Sequence, residues 1–384
     1  MRVIYRVTLA AAASVAGSAI VAAGVAIAPV AQAQSQASFV GGFSSHSIVA
    51  STPPGNGDLN PYGVAVVRHS LGRLHKGDIL VSNFNNSQNQ QGTGTTIVEI
   101  SPDGHQSLFA QINAADLPGA CPGGVGLTTA LDILHGGWVV VGSLPTNAGD
   151  PRSSQAGCLL VLNSRGQVVE TFHGHGINGP WDMTAVNFGG VAELFVTNVL
   201  NGTVAANSKQ LDTQVDKGTV LRLVVTTPDY GLPRLLTVTQ IGSGFPEELD
   251  ANALVIGPTG VGLGADGTLY VADTLNNRIT AIRDAVFRFT DDGTGRTVTA
   301  GGGLNGPLGL AIAPNGDILT VNSGDGNLVE TTPAGFQFTP VNLDSTGSPP
   351  PPGGAGALFG LAVAPHGAGV YYVDDNTNTL DLLS

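Results

Sequence analysis

Residues 256 to 282, IGPTGVGLGADGTLYVADTLNNRITAI, hold three strand-like runs in close succession. Val261 to Leu263 stops at Asp266-Gly267, a dipeptide that accepts the positive φ angles of a tight hairpin turn. Leu269 to Ala272 then runs into the polar loop Asp273 to Asn277, and Arg278 to Ile282 opens a third strand of alternating polarity. A three-stranded meander this short cannot bury both of its faces, so a chain that contains one has to repeat it.

The repeat is present. Six units open with a small or proline-containing turn, a glycine at a fixed offset and a short apolar strand: Asn60-Pro61-Tyr62-Gly63-Val64, Cys121-Pro122-Gly123-Gly124-Val125, Gly179-Pro180-Trp181-Asp182-Met183, Gly257-Pro258-Thr259-Gly260-Val261, Gly306-Pro307-Leu308-Gly309-Leu310 and Ala357-Leu358-Phe359-Gly360-Leu361. Each is followed by a second apolar run that ends in a small or polar residue, Asn83, Gly142, Asn198, Asp273, Asn322 and Asp374. Counted from the glycine position the units begin 61, 58, 78, 49 and 51 residues apart. A period near fifty residues with about four strands per unit predicts a β-propeller.

The last unit reaches Ser384 after only its third strand, Thr379 to Leu383, while 37 to 50 holds one strand with no partner nearby in sequence. Pairing the two closes the ring and removes an exposed edge. The expected fold is therefore all-β: a six-bladed β-propeller of four-stranded antiparallel blades, closed by the N-terminal strand. It forms a single domain over 34 to 384, with blades starting near 60, 121, 179, 257, 306 and 357. The 55 glycines and the scarcity of charged residues suit many short strands joined by tight turns.

Residues 1 to 33 read as a signal peptide for export to the periplasm or the extracellular space. Arg2 and Arg6 form a basic start, 7 to 28 is apolar and alanine-rich, and Ala31-Gln32-Ala33 offers small residues at the cleavage positions. A retained membrane anchor is the alternative, since the apolar run is long enough to span. Cleavage leaves 13 basic against 28 acidic residues, a net charge of −15 that repels phosphate backbones and excludes nucleic acid as an expected partner. After cleavage no membrane association is expected, and the closed ring is expected to be a monomer. Cys121 and Cys158, the two cysteines, are compatible with one disulfide in an exported chain. Two strand spacings, about 9.6 Å, would separate them if both began strands of one blade, so the bond requires the flanking loops to bend inward.

In a meander blade the loop before the first strand and the loop after the second emerge on one face, and the two hairpin turns on the other. The long insertions 84 to 95, 143 to 157 and 199 to 217 fall on the loop face, where binding residues of a rigid scaffold usually sit. The expected site is the channel mouth over blades 1 to 3, taking a small molecule, glycan or protein. His173 and His175 are spaced to share a divalent metal ion if their segment is extended, or are surface histidines. Trp181 and Asp182 break the repeat with an aromatic and a carboxylate, for ligand binding or for packing between blades. Glu247 and Glu248 are a further carboxylate pair, for ligand binding or a solvated acidic loop. The Asn and Asp residues ending the second strands read as loop caps. No nucleophile-elbow, zinc-protease or P-loop motif is present.

The pattern Gly-Pro-x-Gly-Val-x-Leu, Asp-Gly-x-Leu-x-Val-x-Asp-x-x-Asn-x-x-Ile over 257 to 279 resembles an NHL repeat, closely in blade 4, well in blades 5 and 6, and in the first two strands of the others. The resemblance implies a six-bladed propeller related to gluconolactonase and strictosidine-synthase-like proteins. Gluconolactonase-like relatives hold a divalent ion with a Glu, two Asn and an Asp from separate blades, and that set has no residue-by-residue counterpart here. Two functions follow as expectations: an exported binding scaffold, or a metal-dependent hydrolase or lyase of the gluconolactonase kind.

Overall fold

The computed structural model describes residues 37–203, 210–346 and 353–384. The expected signal peptide lies outside the described residues, as do part of the third insertion and the four consecutive prolines at 349 to 352. Among the described residues no helix is long and apolar enough to cross a membrane.

Six antiparallel sheets form the six blades of a propeller. Each is a meander that runs from an inner strand on the channel to an outer strand at the rim. Blade 1 is Leu59–Val66, Ile79–Asn85, Thr96–Ile100 and Gln106–Gln111, and blade 2 is Leu127–Leu134, Trp138–Ser143, Cys158–Leu162 and Val168–Phe172. Blade 4 opens at Pro258–Leu263, blade 5 at Pro307–Ile312 and blade 6 at Leu358–Val363. Blade 6 takes its outermost strand from the other end of the chain: His46–Ser51 pairs antiparallel with Thr379–Leu383, with His46 opposite Leu383. The N-terminal strand therefore closes the ring.

That strand is shorter than the expected 37 to 50. Val40–Gly42 forms a single 3-10 turn instead, because Glu330 of blade 5 gathers the segment onto itself. Its carboxylate accepts hydrogen bonds from Ser38 Oγ (2.5 Å) and from the backbone N–H groups of Phe39 (2.6 Å) and Val40 (3.0 Å). Val40 is thereby buried among Leu319, Leu328 and Leu361, so the N-terminal segment bridges blades 5 and 6.

Neighbouring inner strands approach closely at the repeat glycine. A Cβ added to Gly260, Gly309 or Gly360 would overlap the carbonyl oxygen of Leu308, Phe359 or Tyr62 in the next blade. The Asn and Asp ends of the second strands are buried loop caps. Asn198 Oδ1 accepts from the N–H groups of Asn178 and Gly179 while its amide donates to the Gly176 carbonyl, and Asn322 does the same for Asn305 and Gly303.

Two blades depart from the expected pattern. The inner strand of blade 2 begins at Leu127, which pairs with Ser143 where other blades pair the opening proline with Asn or Asp. The Cys121-Pro122-Gly123-Gly124 sequence is a turn ahead of that strand, closed by the Gly124 N–H on the Cys121 carbonyl (2.9 Å) and fastened by the Gly123 N–H to Ala156 (3.0 Å). This inward bend brings the two cysteine Cα atoms to 5.3 Å, and Cys121 and Cys158 are disulfide-bonded. Blade 3 has five strands, not four. Its fourth, Arg234–Asp250, runs for 17 residues and turns back into Leu254–Ile256, so the expected acidic loop at Glu247-Glu248 is strand.

Replacing Glu330 with Ala removes the acceptor of three hydrogen bonds and strands buried N–H groups. The loss expected is about 2–3 kcal/mol of folding stability, read as a lower urea midpoint at unchanged m-value. An unchanged midpoint would show that the clamp on the N-terminal segment contributes nothing to closure.

Candidate functional site

The two ends of the central channel differ. On the loop face it is filled by side chains: Tyr62 stacks on Phe359 (ring centroids 4.0 Å apart) and on Phe84 (4.4 Å), with Trp181 at 6.4 Å. Leu144, Val199, Leu249 and Leu254 complete this plug, the last two carried there by the extra hairpin of blade 3. The insertions of blades 1 and 2 cover it and are tied together by the Thr146 N–H on the Gly92 carbonyl (2.9 Å). The space left inside the plug is about 10 Å³, no more than one water's room.

Toward the hairpin face the channel is open. A cavity of about 690 Å³ is lined by the inner strands of all six blades and reaches the turns carrying Arg68, Phe188, Asp266, Asp284 and Phe287. Its walls are mostly aliphatic, including Val66, Met183, Leu263, Leu310, Ile312 and Leu361. Phe188 and Phe287 stand at the mouth with 51% and 78% of their surface exposed.

Two carboxylates interrupt this apolar wall. Asp182 occupies the position that is glycine in blades 1, 4, 5 and 6. Its oxygens accept from the N–H of Met183 (2.8 Å) and, across the blade boundary, from the N–H of Val261 (3.1 Å). A side chain thus bridges blades 3 and 4 where elsewhere bare backbones meet. Burial raises its pKa to about 8, the two N–H donors offsetting only part of that and the nearby Asp132 adding to it. Asp132, on the inner strand of blade 2, accepts from the Ile133 N–H (2.7 Å) and keeps partial exposure to the cavity. Burial lifts it to about 6 against the opposing effects of the Ile133 and Ala185 N–H groups and Arg68. Of the two, Asp182 holds its proton more tightly.

Thr129 lies where cavity and plug meet and lines both. It is 4% exposed, and its hydroxyl has no hydrogen-bond partner. A buried polar atom left unsatisfied at a cavity floor is a place for a ligand or water.

The structure separates the residues singled out from sequence. Trp181 is 6% exposed and belongs to the plug, while its neighbour Asp182 faces the cavity on the other side. His173 and His175 are exposed in a tight turn in which Gly174, His175 and Gly176 all have positive φ. The extended geometry that would put both imidazoles on one side is not formed there. Glu247 is fully buried and accepts from the Gly202 N–H, holding the turn after the second strand of blade 3; burial raises it to about 7. Glu248 alternates to the opposite side of the same strand, half-buried and paired with Ile256. Asp132 and Thr129 escaped the sequence reading because the opening of blade 2 was aligned on Cys121-Pro122-Gly123. The segment Leu127-Thr128-Thr129-Ala130-Leu131-Asp132, a strand with polar residues at channel-facing positions, is the signal that finds them.

No protein-family model matches the sequence, and comparison with curated proteins gives no match. Among solved structures the chain is similar to a calcium-binding regucalcin from Agrobacterium tumefaciens (12% identity, 89% of this chain and 94% of that one, TM-score 0.55). It is also similar to the PQQ-bound aldose sugar dehydrogenase of Streptomyces coelicolor (16%, 88% and 98%, TM-score 0.50). A gluconolactonase from Xanthomonas campestris also aligns (14%, 85% and 86%, TM-score 0.49). The first two carry the likeness, which is one of fold, a β-propeller.

The raised carboxyls set a pH dependence. An acid whose folded pKa exceeds its unfolded value binds its proton more tightly when folded, so stability falls as pH rises between the two values. For Asp182 that window runs from 3.8 to about 8. The melting temperature is expected to fall between pH 5 and pH 8, and Asp182→Asn to make that fall shallower by up to about 1.4 kcal/mol per pH unit. Parallel pH profiles for the two proteins would contradict the assignment.

Proposed function

We propose that this chain is an exported, monomeric binding propeller built of NHL-like repeats. It takes a small organic cation, an apolar body carrying a basic nitrogen, into the central channel through the hairpin face. The observation that carries the reading is the Asp132 carboxylate on the cavity wall, with the unpartnered Thr129 hydroxyl deeper in on the same strand, inside an otherwise aliphatic wall. A charged amine would pair with Asp132, while the aliphatic strands and the exposed Phe188 and Phe287 cover the apolar body. The net charge of −15 attracts a cation over distance, and the disulfide suits an oxidising compartment.

The loop face offers less, because its channel mouth is filled by the aromatic plug. For the same reason a gluconolactonase-like metal set does not fit that end. One oxygen of the acid beneath it, Glu247, is engaged by the Gly202 N–H. A hydrolase or lyase is the second reading, favoured by one observation: two acids with separated proton affinities face one cavity. Both oxygens of Asp182 accept from the backbone, however, and Asp132 is the more exposed of the two acids.

Calorimetry with benzylamine, benzyl alcohol and benzoate compares three probes of one size. The amine is expected to bind at least about tenfold tighter than the alcohol, the preference of a charge-assisted hydrogen bond, and benzoate weakest. Asp132→Asn should erase the preference while leaving the melting temperature near that of the wild type. Equal binding of all three probes, or a preference that survives Asp132→Asn, would contradict the proposal.

A further inference from the structure

A second cluster of ligand-type side chains lies away from the cavity, on the first hairpin turn of blade 1. His75-Lys76-Gly77-Asp78 is a β-turn closed by the Asp78 N–H on the His75 carbonyl (3.0 Å), with Gly77 at φ +96°. Such a turn places the side chains of its first and last residues close together. The third strand of the same blade brings Glu99 up beneath it. Glu99 accepts from the His75 N–H (2.7 Å), and its other oxygen lies 3.3 Å from His75 Nδ1. Asp78 Oδ2 is 3.8 Å from the same nitrogen, and the three ligand atoms all lie within 4.8 Å of one another. Among the described residues this is the one group of three His, Cys, Asp or Glu side chains so gathered.

Blade 5 supplies an internal comparison. Glu330 stands at the same position of its third strand as Glu99, each one residue before the strand's end and opposite a leucine of the second strand. Each also meets the acid that ends its blade's first hairpin turn, Asp317 for Glu330 and Asp78 for Glu99. Glu330 is in addition surrounded by donors from the N-terminal segment, whereas Glu99 meets one backbone N–H and an imidazole. It is only 3% exposed, Asp78 is 16% exposed, and His75 is left open at 68%. Two acids drawn together at the edge of the core, with an imidazole able to turn its lone pair inward, make a donor set that a divalent cation completes.

We propose that His75 Nδ1, Asp78 and Glu99 bind a divalent transition-metal ion of the Zn²⁺ class, with the remaining coordination positions open to solvent. Donors about 2.0–2.1 Å from a tetrahedral zinc ion stand roughly 3.3 Å from each other, against 3.3 Å and 3.8 Å from His75 Nδ1 to the two carboxylates. The imidazole nitrogen favours zinc over calcium or magnesium, which take oxygen donors. The site is independent of the amine-binding reading, because none of its three residues lines the channel cavity.

The test is calorimetric titration of the full folded chain, stripped of metal with EDTA, with ZnCl₂ and then with CaCl₂. One equivalent of Zn²⁺ is expected to bind with a micromolar or tighter Kd, and Ca²⁺ more weakly. His75→Ala, which changes an exposed side chain and leaves the fold intact, should weaken Zn²⁺ at least about tenfold, a loss found even for outer-sphere partners. Glu99→Gln should do the same, while the double variant His173→Ala/His175→Ala retains wild-type binding. Zinc should raise the melting temperature of the wild type and not of His75→Ala. No zinc uptake by the wild type, or uptake undiminished in His75→Ala, would overturn the proposal; so would uptake lost only in the His173/His175 double variant.

Discussion

Six inner strands meeting around one axis leave no room for a side chain between neighbouring backbones, and most of this molecule follows from that crowding. At Gly260, Gly309 and Gly360 the next blade's carbonyl occupies the space a Cβ would take, so the repeat glycine is a demand of ring closure. Blade 3 meets the demand differently. Asp182 replaces the missing backbone contact with hydrogen bonds from its carboxylate to Met183 and Val261. A buried acid is costly unless it is neutralised or well bonded, and the raised proton affinity of Asp182 is the form that cost takes. The most perturbed group in the channel thus arises from an exception in the packing pattern, and the exception puts a polar group where a ligand can reach.

The asymmetry of the channel has the same origin. On the loop face, long connections in blades 1 to 3 give the chain enough length to fold over the axis, and large residues at the inner-strand openings of four blades, Tyr62, Trp181, Leu308 and Phe359, pack into the plug. On the hairpin face some turns are short, as at Asp266-Gly267, and the longer ones, 67 to 78 in blade 1 and 283 to 295 in blade 4, border the mouth without filling it. The channel is therefore stoppered at the loop face and open at the hairpin face. That is the reverse of the usual expectation that long loops on a scaffold frame its binding site, because here the loops are spent on sealing.

The architecture was legible in the sequence because strand alternation, glycine-containing turns such as Asp266-Gly267, and the proline-to-glycine spacing of blades 1, 4 and 5 are local signals that recur along the chain. Closure by the N-terminal strand was legible from arithmetic alone, a strand missing at one end and spare at the other. The candidate site was less so. Trp181 and Asp182 stood out as departures from the repeat, but nothing local shows that one side of the strand there meets a plug and the other a cavity. His173 and His175 looked like a shared ligand pair only under an assumption of extended backbone, and the glycines on either side of His175 allow a turn instead. Asp132 was hidden by a register error: a proline-glycine turn stabilised by the Cys121 disulfide mimics a blade opening six residues early. His75, Asp78 and Glu99 come together through strand pairing, and neither carboxylate announces itself in the sequence.

The central claim is that the channel is sealed on the loop face around Trp181. The chain has two tryptophans, so Trp138→Phe leaves Trp181 as the one indole emitter, and acrylamide quenching of that variant reads its access to solvent. The account predicts blue-shifted emission and quenching far slower than that of free tryptophan, abolished only on unfolding in denaturant. Quenching of the folded protein at a rate near that of an exposed indole would mean an open loop-side mouth, and would contradict the assignment of the hairpin face as the way in.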